Sequence, residues 1–287
     1  MLHYIASVYT GVRQNKFVNE ILANDPSHYV KIHLERLRLY GDSNIQRVTF
    51  AISPSSDPER DRSVMEYASS VDLGFAVTDS YIKENNKYFS YGCWEDCVRR
   101  NMGGLDFFLI EDDYFPAVKG FYEPFVNGLN SKEGVAYSCQ WYKNRHAAIS
   151  NGVLSVKAAK KHIEEFGESL LLSKFDAVVY PPEMPEDRDR IEMLYIKKNS
   201  PHQQRRPLMK QRPKPISIKN MPPPGFKVIH PGVFAQERFL QGYEALGYSF
   251  VDLMDEYMHP FLSDAKIVKE YGKKGGKVLI DCDFYKQ

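Results

Sequence analysis

The chain has 287 residues, of which 43% are apolar and 26% charged, and 38 basic side chains stand against 37 acidic ones. That length allows one sizeable core, and a net charge of +1 excludes a polyanion-binding bias spread over the whole molecule. No apolar run approaches membrane-spanning length, and Met1-Leu2-His3-Tyr4 does not open a basic segment followed by an apolar one. Cys93, Cys97, Cys139 and Cys282 show neither zinc spacing nor a Cys-x-x-Cys pair, so reduced thiols in a cytoplasmic protein are the expectation.

Taken in order, Tyr4 to Thr10 predicts a first strand, followed by Gly11 and a polar turn. Phe17, Ile21 and Leu22 mark a short helix, and Ser27 predicts the cap of a second, stopped at Gly41. Val48 to Ile52 reads as a strand, then Ser55-Ser56-Asp57 leads into a helix opened by Pro58. Leu73 to Val77 predicts a third strand ending at Thr78-Asp79, and a helix containing Trp94, Cys97 and Val98 follows.

Phe107 to Ile110 is a short apolar run, bounded by Gly103-Gly104 and Pro116, of the kind found in strands buried on both faces. Glu111, Asp112 and Asp113 follow it directly. Ligands of open parallel sheets bind beyond the carboxyl ends of the strands, so these acids sit where chemistry is expected. Adjacent carboxylates repel, and Mg²⁺ or Mn²⁺ is the usual remedy for hard oxygen donors beside substrate phosphates. A polar turn capping a buried strand is the alternative reading. The succession of strands and helices predicts an α/β fold with a mostly parallel, doubly wound sheet.

Beyond Pro116 the expectation is a helix over Phe121 to Leu129, a strand over Gly134 to Tyr142, a loop over Lys143 to Gly152 and a helix from Ser155 to Phe166. A helix from Glu186-Asp187 to about Lys197 follows a proline cluster. From Met193 through Gln236 there are nine lysines and arginines and no acid, and prolines at 201, 207, 213, 215, 222, 223 and 224 predict a long extended basic loop. A helix over Gln236 to Leu246, a strand over Gly247 to Leu253 and a last strand, Val278 to Cys282, complete the reading. Residues 1–130 form the expected nucleotide-sugar-binding half, and 131–287 the acceptor half with its basic loop over 197–227.

The opening strand, Ser55-Ser56-Asp57, the helix Tyr91 to Arg100 and above all Phe-Phe-Leu-Ile-Glu-Asp-Asp together resemble the GT-A fold of nucleotide-sugar-dependent glycosyltransferases. The resemblance covers roughly the first two thirds of the chain. It implies that Asp113 and Glu111 bind Mn²⁺ or Mg²⁺, and that Glu111 and Asp112 contact the donor. It also implies donor contacts from Thr10, Gly11, Asp57, Asp79, Asn151 and Gly152. Asp187, with Glu186 next, resembles the catalytic base of inverting members, and His230 resembles a late metal-site histidine, with His259 as its rival. Helix capping remains the alternative for Asp57 and for the Glu186–Asp187 pair, and a structural role for either histidine.

The implied activity is transfer of a sugar from a nucleotide-sugar donor to a hydroxyl. Arg205, Arg206, Lys210 and Arg212 in the basic stretch suit a polyanion, so the acceptor is read as a hydroxyl carried on nucleic acid, for example a hydroxymethylated base in DNA. A glycan acceptor is the alternative, with the basic loop then covering the diphosphate. A nucleotidyltransferase would share the sheet and a metal carboxylate, but Thr10-Gly11-Val12-Arg13 carries a single glycine where a glycine-rich loop is usual. A non-catalytic nucleic-acid-binding protein has no use for a buried strand ending in three acids.

Overall fold

The structure, a computed structural model, describes residues 1–13, 16–86, 88–141, 149–170, 241–253 and 261–263, and the short strands near 178, 195 and 227. Chain order is β1 (Leu2–Tyr9), α1 (Lys16–Asn24), α2 (His28–Tyr40), β2 (Ile45–Ser53), α3 (Pro58–Ser70), β3 (Val77–Ile82), α4 (Phe89–Arg100) and β4 (Asp106–Glu111). Then come β5 (Tyr114–Pro116), α5 (Glu123–Leu129), β6 (Val135–Trp141), β7 (Ile149–Leu154) and α6 (Val156–Phe166). The remaining strands are β8 (Val178–Val179), β9 (Leu194–Lys197), β10 (Phe226–Ile229), β11 (Ser249–Asp252) and β12 (Phe261–Ser263).

Seven strands form one sheet in the order β11-β6-β7-β4-β1-β2-β3. Parallel pairing joins β4 to β1, β1 to β2, β2 to β3 and β11 to β6. Only β7 runs against its neighbours, antiparallel to both β4 and β6. This is a mixed α/β architecture with a mostly parallel sheet, as the alternation of strand and helix signals predicts.

The central strands read as unbroken apolar runs because both faces are covered. On one face Ile5, Phe107 and Leu109 pack with Trp94, Cys97 and Val98 of α4 and with Ala158 and Ala159 of α6. On the other, Tyr4, Phe50, Phe108 and Ile110 pack with Val30, Leu34 and Leu37 of α2, Val64 and Ala68 of α3, and Phe125 of α5. Tyr4 stacks on Phe108 with ring centroids 5.5 Å apart, and Phe121 and Phe125 meet Phe108 edge-on at the same distance. Such ring pairs contribute about 0.5–1.5 kcal/mol each beyond the area they bury.

Several boundaries differ from expectation. The third strand begins at Val77 rather than ending there, because Gly74 turns the chain at φ +78° and the edge strand carries polar residues. Asp79 therefore lies inside β3, opposite Thr49, and not at a strand end. Asn151 and Gly152 belong to strand β7 rather than to a loop. Leu194–Lys197 is a strand paired with Phe226–Ile229. The predicted helix thus does not reach Lys197, and the basic stretch is bracketed by antiparallel pairing. Among the described residues no helix is long and apolar enough to cross a membrane.

Candidate active site at the carboxyl edge of the sheet

Buried polar side chains collect where β1, β2, β3 and β4 end: Thr10, Arg13, Ser53, Asp61, Lys83 and Asp112 are each less than 9% exposed. Residues of this type stay inside only when bonded or paired, so a cluster at one edge of an apolar sheet points to a site. β4 ends at Glu111, and the chain turns through Asp112 and Asp113 into β5.

Glu111 points toward α4, where Ser90 Oγ donates to its Oε1 at 2.8 Å. Asp112 points to the α2 side. Its Oδ2 accepts the backbone N–H of Tyr9 at 2.8 Å and also pairs with Arg13. Burial alone would pull the Arg13 pKa down, but the charge and hydrogen bond of Asp112, together with the nearby Tyr29 and Asp113, outweigh it and hold the guanidinium protonated. Asp113 is partly exposed at the tip of the turn. β12 then pairs with β5 directly after the acids, Ser263 opposite Tyr114.

Thr10 and Gly11 lie buried at the end of β1. Thr10 donates to Asp61, which also accepts Ser55 N at 2.7 Å and Ser55 Oγ at 2.8 Å. Asp57 is exposed and caps α3, accepting Arg60 N at 3.0 Å. Asp79 pairs with Arg47 and accepts from Thr49, within the strand and away from the carboxyl edge.

Asn151 lies opposite Ile110, one residue before the acids, fully buried, and neither amide atom has a hydrogen-bond partner among the described residues. Gly152 lies opposite Leu109, and a Cβ there would come within 2.7 Å of Ser138 O and of Tyr137 Cζ. The structure thus brings together Thr10, Gly11, Glu111, Asp112, Asp113 and Asn151, and sets Asp57 and Asp79 apart from them. Glu186, Asp187, Arg205, Arg206, Lys210, Arg212, His230 and His259 lie outside the described residues.

Arg13, Asp61 and Lys83 were not singled out in the sequence, since a lone cation or acid after a strand or early in a helix is common. The available signal was position: Arg13 stands three residues after the predicted first strand and Lys83 four after Asp79, while Asp61, nine after Ile52, lies in the helix that follows.

Among the described residues no three His, Cys, Asp or Glu side chains converge as a metal cluster. Arg13 pairs with Asp112, and Glu111 and Asp113 flank that pair as two hard carboxylates. That set fits Mg²⁺ or Mn²⁺, which take one or two carboxylates and complete their shell with water and substrate phosphates.

No protein-family profile matches the sequence, and no curated protein matches it. Among solved structures the chain is similar to a cytidylyltransferase from Leptospira borgpetersenii serovar Hardjo-bovis (strain JB197), with 10% identity and a TM-score of 0.37. The match covers 63% of this chain and 66% of that one, just under two thirds of its length. A functional reading therefore rests on the geometry of the sheet edge.

Proposed function

We propose that the protein is a metal-dependent glycosyltransferase that moves a sugar from a nucleotide-sugar donor to an acceptor hydroxyl. The observation that supports it is the acidic turn, Glu111 to Asp113, at the carboxyl end of a buried strand, between the end of β1 and antiparallel β7. Glu111 and Asp113 would hold Mn²⁺ or Mg²⁺, which when bound supplies electrostatic stabilisation of a departing diphosphate. Thr10 and Gly11 are suited to donor contacts through the end of β1, and Asn151 offers an amide beside the acids.

In the reaction the bond from the anomeric carbon to the phosphate oxygen breaks, and its electron pair leaves with the nucleoside diphosphate. A bond forms from the acceptor oxygen to the anomeric carbon. Asp187, or Glu186 beside it, takes the acceptor's proton if the reaction inverts. His230 is a further ligand in this reading. The acceptor is a hydroxyl on nucleic acid, with the basic stretch around Arg205, Arg206, Lys210 and Arg212 on the phosphates.

A second reading, nucleotidyl transfer, is favoured by one observation: Arg13 places a buried cation three residues after Thr10, where such enzymes meet their phosphates. Product analysis separates the two. Incubation with a panel of sugar nucleotides, Mn²⁺ and hydroxymethylated DNA should release nucleoside diphosphate and label the DNA. Pyrophosphate release from nucleoside triphosphate and a sugar phosphate, with no diphosphate release, would overturn the glycosyl reading.

A further inference from the structure

The middle acid of the triplet is bound on every side. Its carboxylate receives Tyr9 N and Arg13, and Arg13 returns to the same residue by donating to Tyr9 O at 2.8 Å. The backbone of Arg13 is in turn fixed by Asn19, whose side chain accepts Arg13 N at 2.6 Å and donates to Arg13 O at 2.5 Å. The guanidinium lies over the Tyr29 ring, 4.6 Å from its centroid, and Tyr29 stacks on Phe115.

The carbonyl of Asp112 is held as well. His33, fully buried on α2, meets Asp112 O through Nε2 at 3.0 Å and Tyr4 Oη through Nδ1 at 2.8 Å. A carbonyl only accepts, so Nε2 carries the proton and Nδ1 accepts from Tyr4. From the opposite face of the sheet Trp94 Nε1 donates to Ile110 O at 3.2 Å.

We propose that Arg13 and His33 are positioning residues that clamp Asp112 by its carboxylate and its carbonyl, and that Asp112 is the fixed point of the turn rather than a metal ligand. This rests on the metal-dependent reading above and deepens it. Arg13 offsets the charge of Asp112, which lies between the two carboxylates that the metal-dependent reading assigns to a divalent ion. Because the clamp grips the backbone on one side and Trp94 grips it on the other, Glu111 and Asp113 are presented in one geometry. Residues that orient ligands in this way are commonly worth roughly ten- to a hundredfold in metal affinity.

The test compares Arg13→Gln, Arg13→Lys, His33→Gln and Asp112→Asn with Asp113→Asn. Free Mn²⁺ is followed by electron paramagnetic resonance, and amide hydrogen exchange over residues 106–116 is measured without metal. Arg13→Gln, His33→Gln and Asp112→Asn should each speed exchange across the turn and weaken Mn²⁺ binding by roughly ten- to a hundredfold. Arg13→Lys should restore most of both, and Asp113→Asn should lose Mn²⁺ with exchange unchanged. Should His33→Gln not fold, Arg13→Lys and Asp112→Asn decide by the same exchange. Wild-type exchange in Arg13→Gln and Asp112→Asn overturns the clamp. So does loss of Mn²⁺ in Asp112→Asn beside wild-type affinity in Arg13→Gln. If the wild type itself binds no Mn²⁺, the metal reading fails, while the exchange data still decide the clamp.

Discussion

Thr10 donates its hydroxyl hydrogen bond to Asp61, which ties the end of β1 to α3 across 51 residues of sequence. The same carboxylate receives the backbone and the hydroxyl of Ser55, so the loops after β1 and β2 share one buried acid. Asp61 is 1% exposed, and alanine there leaves the buried Thr10 hydroxyl without its acceptor and takes one each from the backbone and hydroxyl of half-buried Ser55. Each donor left unpaired costs about 1–3 kcal/mol, although the loops relax in part. Asp61→Ala should therefore lower unfolding stability by about 3 kcal/mol and Asp61→Asn by roughly half that, measured by urea denaturation. Donor affinity should fall in both. An alanine variant as stable as wild type would show that water replaces the carboxylate and that the loops do not depend on it.

Gly152 sits in the middle of β7 with no room for a side chain. An added Cβ would lie 2.6 Å from Cys139 Cβ and 2.7 Å from both Ser138 O and Tyr137 Cζ. Two of those neighbours are backbone or the first side-chain atom of adjacent β6, so neither swings away. Gly152→Ala should cost about 1–3 kcal/mol through overpacking, read from thermal or denaturant unfolding. A neutral effect would mean that β6 and β7 separate more easily than their pairing implies.

The parts of this molecule that could be read from sequence are those where a single local rule dominates. Phe107 to Ile110 is apolar because both faces of β4 are covered, and Pro58 behind Asp57 opens α3 as its fixed φ requires. β3 was misplaced because an edge strand needs no apolar run: Asp79 and Ser80 look like turn residues but are satisfied laterally, Asp79 by Arg47 and Thr49. Ser150-Asn151-Gly152 carries a turn composition, yet pairing on both sides makes it strand, a tertiary override of propensity. Within the site, the acidic triplet was legible as a motif. The contacts that hold Asp112 were not, since Arg13 and His33 reach it from 99 and 79 residues away.

Acid should destabilise the fold through two buried histidines. Burial lowers His33 to about 4 against the pull of Asp112, and burial with help from Arg47 lowers His3 to about 4 against Asp79. Both rings are neutral in the fold: Thr49 gives its only proton to Asp79, so His3 Nε2 must donate to Thr49. Unfolded histidine gains its proton near pH 6.5, well before either folded ring does. Stability is therefore whole above about pH 6.5 and is lost as pH falls toward 4, at about 1.4 kcal/mol per pH unit for each histidine. Denaturant midpoints across that window should fall accordingly, and His3→Gln should remove about one proton from the slope. A flat profile between those pH values would show that the rings titrate in the fold as they do when unfolded.

The composition of the basic stretch around Arg205, Arg206, Lys210 and Arg212 leads to an expectation about salt. Met193 through Gln236 holds nine basic and no acidic side chains in a protein whose net charge is +1. One or two cations would cover a diphosphate; nine within one stretch of sequence suit a longer polyanion. If duplex DNA carries the acceptor, binding should fall log-linearly with salt, with a slope of about −0.9 for each phosphate neutralised. Replacing Arg205, Arg206, Lys210 and Arg212 together by glutamine should reduce that slope by up to about 4, without abolishing hydrolysis of the donor. Filter binding or fluorescence anisotropy between low and physiological salt measures the slope directly. Salt-insensitive DNA binding, together with efficient glycosylation of a neutral oligosaccharide, would instead assign the stretch to the donor's diphosphate.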